Sequence, residues 1–109
     1  MSVTAGRVVI DTNGAAAVTV VPSPTSGLSH IIPPKGINVH NDSGGAVDAI
    51  IRFNDGATTY IIARNATLAT NAVLSNDGPV TLTATADLIE VILGGAGTIP
   101  VVASYLIQA

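Results

Sequence analysis

The sequence predicts an all-β chain: a single antiparallel β-sandwich, jelly-roll-like, of about eight or nine short strands. Three observations predict it. Val (13), Ile (12) and Thr (12) make up about a third of the 109 residues, and β-branched side chains fit a pleated, half-buried surface. Eleven Gly and six Pro leave few segments with room for a long helix. Several stretches alternate apolar and polar residues with period two, the spacing of a strand with one face buried.

Strands are expected near 4–10, 15–21, 36–41, 46–53, 58–64, 67–74, 79–85, 87–93 and 99–107. In 46–53, Val47, Ala49, Ile51 and Phe53 form one face, with Asp48 and Arg52 on the other. Val80, Leu82 and Ala84 oppose Thr81, Thr83 and Thr85, and Ile89, Val91 and Leu93 oppose Glu90 and Ile92. Segment 66–74 is rich in Ala and also allows a short helical turn.

Three turns share one chemistry: Asn41-Asp42-Ser43-Gly44-Gly45, Asn54-Asp55-Gly56 and Asn76-Asp77-Gly78. Asn and Asp bond their own main chain and Gly supplies positive φ, so these read as hairpins or tight loops. None has the dense carboxylate ladder of a calcium loop. Segment 22–35, with four prolines, reads as the one long irregular stretch. Its apolar Leu28, Ile31 and Ile32 are expected to lie against the sandwich or a neighbouring subunit. No internal repeat or boundary divides the chain, so 1–109 reads as a single domain.

Composition excludes several classes. Charged residues are 10% and the net charge is -3, against about 25% charged in an ordinary soluble domain. Without Cys there are no disulfides, thiolate metal sites or thiol nucleophiles. No apolar run approaches the ~18 residues that span a bilayer, and the N-terminus lacks a basic region followed by an apolar core. One Lys and three Arg make no basic patch, and three aromatics make no stacking platform. Neither a nucleic-acid nor a membrane partner is expected.

Candidate chemistry is sparse. His30 and His40 lack a third ligand at a metal-binding spacing. Ser29, His30 and Asp42 hold the letters of a triad without a nucleophile elbow. Gly94-Gly95-Ala96-Gly97 follows a strand, but Thr98-Ile99-Pro100 comes next where a phosphate cradle needs Lys-Ser/Thr, so it reads as a hairpin connection. Asn41-Asp42-Ser43 and Asn65-Ala66-Thr67 fit a glycosylation sequon with no secretory signal beside them. The expectation is a non-enzymatic protein with no catalytic residue, cofactor or metal.

The surface carries the signal. Polar strand faces hold Thr, Asn and Ser where Lys and Glu are usual, and the single Lys35 falls in a loop. Edge strands of free monomers are commonly defended by charge, above all Lys. The C-terminal strand is apolar on both faces: Val101, Ala103, Tyr105 and Ile107 on one, Val102 and Leu106 on the other. Ile50 and Ile92 also fall on nominally outward faces. Such a pattern predicts a subunit interface, with Leu28, Ile31, Ile32, Val102 and Leu106 as its candidate contacts.

Over the last two-thirds of the chain, Asn-Asp-Ser-Gly-Gly-Ala-Val-Asp-Ala-Ile-Ile-Arg-Phe-Asn-Asp-Gly precedes a Thr-Tyr-Ile-Ile strand and an Ala/Thr-rich linker. Val-Thr-Leu-Thr-Ala-Thr-Ala-Asp-Leu-Ile-Glu-Val and a terminal Val-Val-Ala-Ser-Tyr-Leu follow. This order resembles the small β-sandwich virion proteins of tailed bacteriophages, namely capsid decoration (cement) proteins and related neck or tail accessory proteins. The resemblance implies location in the virion, on the capsid surface. It also implies a homo-oligomer, a trimer above other states, that bridges major capsid protein subunits or contacts other virion proteins. It carries over no active site, and the Pro-rich 22–35 stretch is not part of its pattern. Two other readings stand beside it: a neck, tail or head-fibre adaptor, and a carbohydrate- or receptor-binding module, for which only Tyr60 and Tyr105 offer a sugar platform.

Overall fold

The computed structural model describes residues 2–11, 16–94 and 98–109. Ten strands are present there: β1 (Ser2–Asp11), β2 (Val18–Val21), β3 (Ser29–Ile32), β4 (Ile37–His40), β5 (Val47–Asn54), β6 (Thr59–Leu68), β7 (Val73–Ser75), β8 (Val80–Leu82), β9 (Leu88–Gly94) and β10 (Thr98–Gln108). They form two antiparallel sheets. One is ordered β2-β9-β5-β6. In the other, β10 pairs with β1 along one edge and with both β3 and β4 along its opposite edge. β8 and β7 then continue outward from β3 and β4.

The pairs β3/β4 and β7/β8 are therefore single strand positions, each interrupted by a loop. Counted so, each sheet has four positions, in the alternating order of a jelly-roll-like sandwich. The chain changes sheet after β1, β2, β4, β6, β8 and β9, and a hairpin joins β5 to β6.

The expected alternation sets the core. Val47, Ala49 and Ile51 of β5, Ile89, Val91 and Leu93 of β9, and Val101, Ala103 and Tyr105 of β10 turn inward and are buried together. Ile37 and Val39 of β4, Leu82 of β8 and Leu68 at the end of β6 complete the layer. Each fully buried Val, Leu or Ile contributes roughly 1.5–3 kcal/mol relative to exposure.

Three expectations change. Segment 22–35 is not wholly irregular, because β3 forms inside it. Its prolines flank Ser29–Ile32, so His30 and Ile31 are free to join both neighbouring ladders. The strand expected over 67–74 is divided: β6 runs on through Leu68, the chain turns at Asn71 with φ 67°, and β7 begins at Val73. The strand expected over 79–85 stops at Leu82, because the Asp87 carboxylate captures the amides of Thr83 (3.1 Å) and Ala84 (2.9 Å). The expected connection at Gly94-Gly95-Ala96-Gly97 lies, apart from Gly94, outside the described residues.

The double interruption is built around Asn76, whose side chain is fully buried. Its Oδ1 accepts the Ile37 amide (3.0 Å), and its Nδ2 donates to the carbonyls of Pro33 (3.0 Å) and Gly78 (2.9 Å). The Lys35 amide, at φ 59°, donates to the Asn76 carbonyl (2.8 Å). Gly36 passes so close to β10 that a Cβ there would sit 2.8 Å from the Ser104 carbonyl oxygen. Side-chain bonds thus replace the ladder bonds that both broken strands give up.

Candidate interaction surface

Period-two geometry sends every second residue of the β10 sheet away from the core. On that outward side the register sets Leu106 opposite Ile31, and Ile31 opposite Thr81. Farther along, Val102 lies opposite Asn38, and Asn38 opposite Ser75. Val102 is 41% exposed, while Ile31 and Leu106 are half-buried. β10 is thus a central strand whose outer side has no covering layer among the described residues. Ser29, Ser104, His40 and the exposed Val73 extend the face. Among the described side chains it carries no Asp, Glu, Lys or Arg.

The candidate contacts are not all placed alike. Ile31, Leu106 and Val102 share this face. Leu28 is half-buried in the loop entering β3, where its amide donates to the Thr25 carbonyl (2.9 Å). Ile32 is corrected: it points the other way along β3 and is fully enclosed in the core. Adjacent residues of a strand face opposite sides, so Ile31 and Ile32 do not share one surface.

The outward face of the second sheet has a different chemistry. Arg52 pairs with Glu90 across the β5–β9 ladder, and Arg64 pairs with Asp48 (3.0 Å) across β5–β6. The Asp48 carboxylate, by hydrogen bond and by charge, raises the Arg64 guanidinium above its ordinary range. Asn54 adds an amide contact to Glu90 (3.5 Å). Ile50 and Ile92 are register partners between these pairs, each half-buried. Beyond them, Tyr60 (53% exposed) and Ile61 (59%) stand on the edge strand β6, with the Tyr60 ring 6.1 Å from that of Phe53.

The polar residues flagged in the sequence serve the fold. Asn54 Oδ1 accepts the Gly56 amide (2.8 Å), and Asp55 Oδ1 accepts those of Thr58 (2.7 Å) and Ala57 (2.9 Å), closing the β5–β6 hairpin. These bonds, Thr58 first, lower the Asp55 pKa below its ordinary 3.8. Asn41 is buried, donating to the carbonyls of Leu68 (2.8 Å) and Gly45 (2.9 Å) and accepting from Ser43. Its sequon is closed to a glycan, whereas Asn65 is exposed on β6. Sequence reasoning read these turns correctly but missed that Asn41 and Asn76 are buried. A Asn whose neighbours supply no competing turn bond looks the same whether wet or enclosed.

Chemistry for catalysis does not assemble. Buried His30 donates from Nδ1 to the Pro22 carbonyl (2.9 Å), and its ring lies 4.9 Å from that of Tyr105. His40 is exposed at the end of β4. Among the described residues no three His, Asp or Glu converge on a metal position. One recess of about 270 Å³ lies over Ser43–Val47, lined by Gly44, Gly45 and Ala46, without a titratable side chain.

No family model matches the sequence, and no curated protein matches it. Among solved structures, similarity is found to a pentameric capsid protein isolated from metagenomic phage sequences, in two crystal structures. Identity is 15% and the TM-score 0.47 for both, with 95% of this chain covered. The chain spans only 59% and 60% of those capsid chains. The nucleoplasmin-like N-terminal domain of Drosophila FKBP39 is similar at 14% identity and TM-score 0.48, over 96% of this chain and 91% of that one. All three scores lie under one half, and they assign no role to this chain.

Proposed function

We propose that the chain is a non-enzymatic structural protein of a phage particle. It acts as a capsid decoration protein that docks through the outward face of the β10 sheet. The observation that carries this reading is the register pair Ile31 and Leu106, both apolar, on the same outward face as the exposed Val102. Water-facing sheets of monomers alternate apolar-in with polar-out. Here two outward alternates of the central strand itself, Val102 and Leu106, are apolar, with Ser104 between them. The sequence resemblance to small virion β-sandwich proteins agrees with it, and supplies the homotrimer and the major capsid protein as the assembly and the partner.

The mechanism is added contact area. A stable interface buries about 1,600 Å² in total, and repetition around a shell multiplies a modest contact through avidity. The test uses Val102→Asp and Leu106→Asp, singly and together, added to particles lacking the protein. Each variant melts close to the parent, yet sediments with particles at least tenfold less. Retention of the double variant at parental level overturns the docking face. Copies spread over the lattice in particle images support decoration. A single ring at the neck or tail makes the chain an adaptor instead.

A further inference from the structure

We propose that copies of this chain join head to tail, the outer edge of β6 on one copy adding to the outer edge of β1 on the next. The inference rests on the assembly reading above and names the contact that builds the oligomer.

The four sheet edges are not equivalent. β2 has four residues, and β7 and β8 have three each. These short edges also abut prolines, Pro22 after β2 and Pro79 before β8. Short length and proline are the usual defences of an exposed edge. β1 and β6 have ten residues each and hold neither Pro nor Lys. β6 pairs only with β5, and β1 only with β10, among the described residues. Each therefore offers an outer row of ladder groups, and what completes such a row is another strand.

Placement selects the occupant. β6 lies on the side of β7, to which a short turn joins it, whereas β1 lies at the far edge beyond β10. The two long edges thus sit on opposite flanks of the sandwich. A contact between unlike patches on opposite flanks propagates in one direction and closes into a ring when the rotation permits. Their lengths match: ten residues span about 33 Å on either strand. Charge offers no barrier, because β1 holds one Arg and one Asp, while the one charge on β6, Arg64, is already matched by Asp48. The two register shifts between β5 and β6 divide the paired residues of β6 into Thr59–Ile61, Ala63–Asn65 and Leu68, so the incoming strand pairs along the first two, in short runs. Tyr60 and Ile61, both exposed, anchor the first run.

The absence of native Cys makes the test clean. Ile61→Cys and Thr4→Cys variants are prepared separately, mixed, exchanged and treated with a short bismaleimide. The mixture gives covalent dimers and neither variant alone does. Covalent dimers from Ile61→Cys alone overturn the proposal in favour of a two-fold β6 contact. No dimers in the mixture, from Thr4→Cys or from a second β1 variant such as Arg7→Cys, also overturn it. In parallel, Ile61→Lys lowers the solution mass from the oligomer to the 10.8 kDa chain with its melting temperature unchanged. An oligomer of unchanged mass counts against β6. Val102→Asp keeps the oligomer while losing the particle, so a failed edge contact and a failed docking face give different results.

Discussion

Replacing Asn76 tests whether side-chain bonds hold the broken strands together. Asn76→Ala removes three hydrogen bonds at once: one accepted from Ile37 N–H, and two donated to Pro33 and Gly78. The losses are unequal. Pro33 and Gly78 are exposed and their carbonyls can turn to water, whereas Ile37 is fully buried and its N–H cannot. A stranded buried donor costs ~1–3 kcal/mol, and each exchanged bond ~0.5–1. The sum is ~3 kcal/mol, which for a chain of this size lowers the melting temperature by about 13 °C. Thermal unfolding by far-ultraviolet circular dichroism reads it. Asp77→Ala, one residue away and exposed, is the control and stays within ~0.5 kcal/mol. A shift for Asn76→Ala no larger than that control refutes the reasoning, because water or a relaxed loop would then be satisfying Ile37.

Gly36→Ala places a Cβ 2.8 Å from the Ser104 oxygen and 2.9 Å from that of Pro33. Both are backbone, so urea unfolding should show a loss of ~1–3 kcal/mol. Gly44→Ala, with open space around it, should be nearly silent. Burial raises the Tyr105 phenol above its ordinary 10.0. A folded-state value above the unfolded one gives stability that is complete below about pH 10 and is lost as pH rises through the folded value. Melting temperatures between pH 9 and 11.5 should therefore fall more steeply for the parent than for Tyr105→Phe, and identical slopes would contradict it. Asp55 has the opposite sign. Its depressed value gives stability present above the unfolded pKa and lost as pH falls through the folded one. Carboxyl NMR should find its inflection below 3.8, and an inflection at or above that value removes the hairpin bonds as its cause.

Much of the fold was legible because alternation is a local signal. Val47, Ala49 and Ile51, or Val101, Ala103 and Tyr105, declare their face within one strand. What escaped is long-range. β3 was hidden by prolines that turn out to flank it, and only its ladders to β8 and β10 make Ser29–Ile32 a strand. The break at Ala69–Ala72 depends on Asn71 adopting φ 67° and donating to the Asn41 carbonyl, 30 residues earlier in sequence. Ile32 was grouped with Ile31 because neighbours in a loop carry no facing; once they lie in a strand, parity separates them. The candidate contacts were legible in part: Val102 and Leu106 stood out as alternates of one strand, but the pairing of Leu106 with Ile31 required the register.

The composition first reads as a shortage of charge, and the strand faces turn it into a sorting of charge. Asp48, Arg52, Arg64 and Glu90 all lie on the sheet built from β2, β9, β5 and β6, and every one has an opposite partner there. Glu90 is buried beneath its arginine, and a carboxylate so placed is tolerable only while paired. That face is self-satisfied and gains little from a protein partner, since docking would desolvate four charges already matched. The β10 face differs: covering Val102, Ile31 and Leu106 removes apolar surface from water at ~25 cal/mol per Å². The two faces of one sandwich thus differ in what a contact would gain, and the difference favours the β10 face over the outward face of the charged sheet for the docking proposed above, a contact separate from the β6 edge.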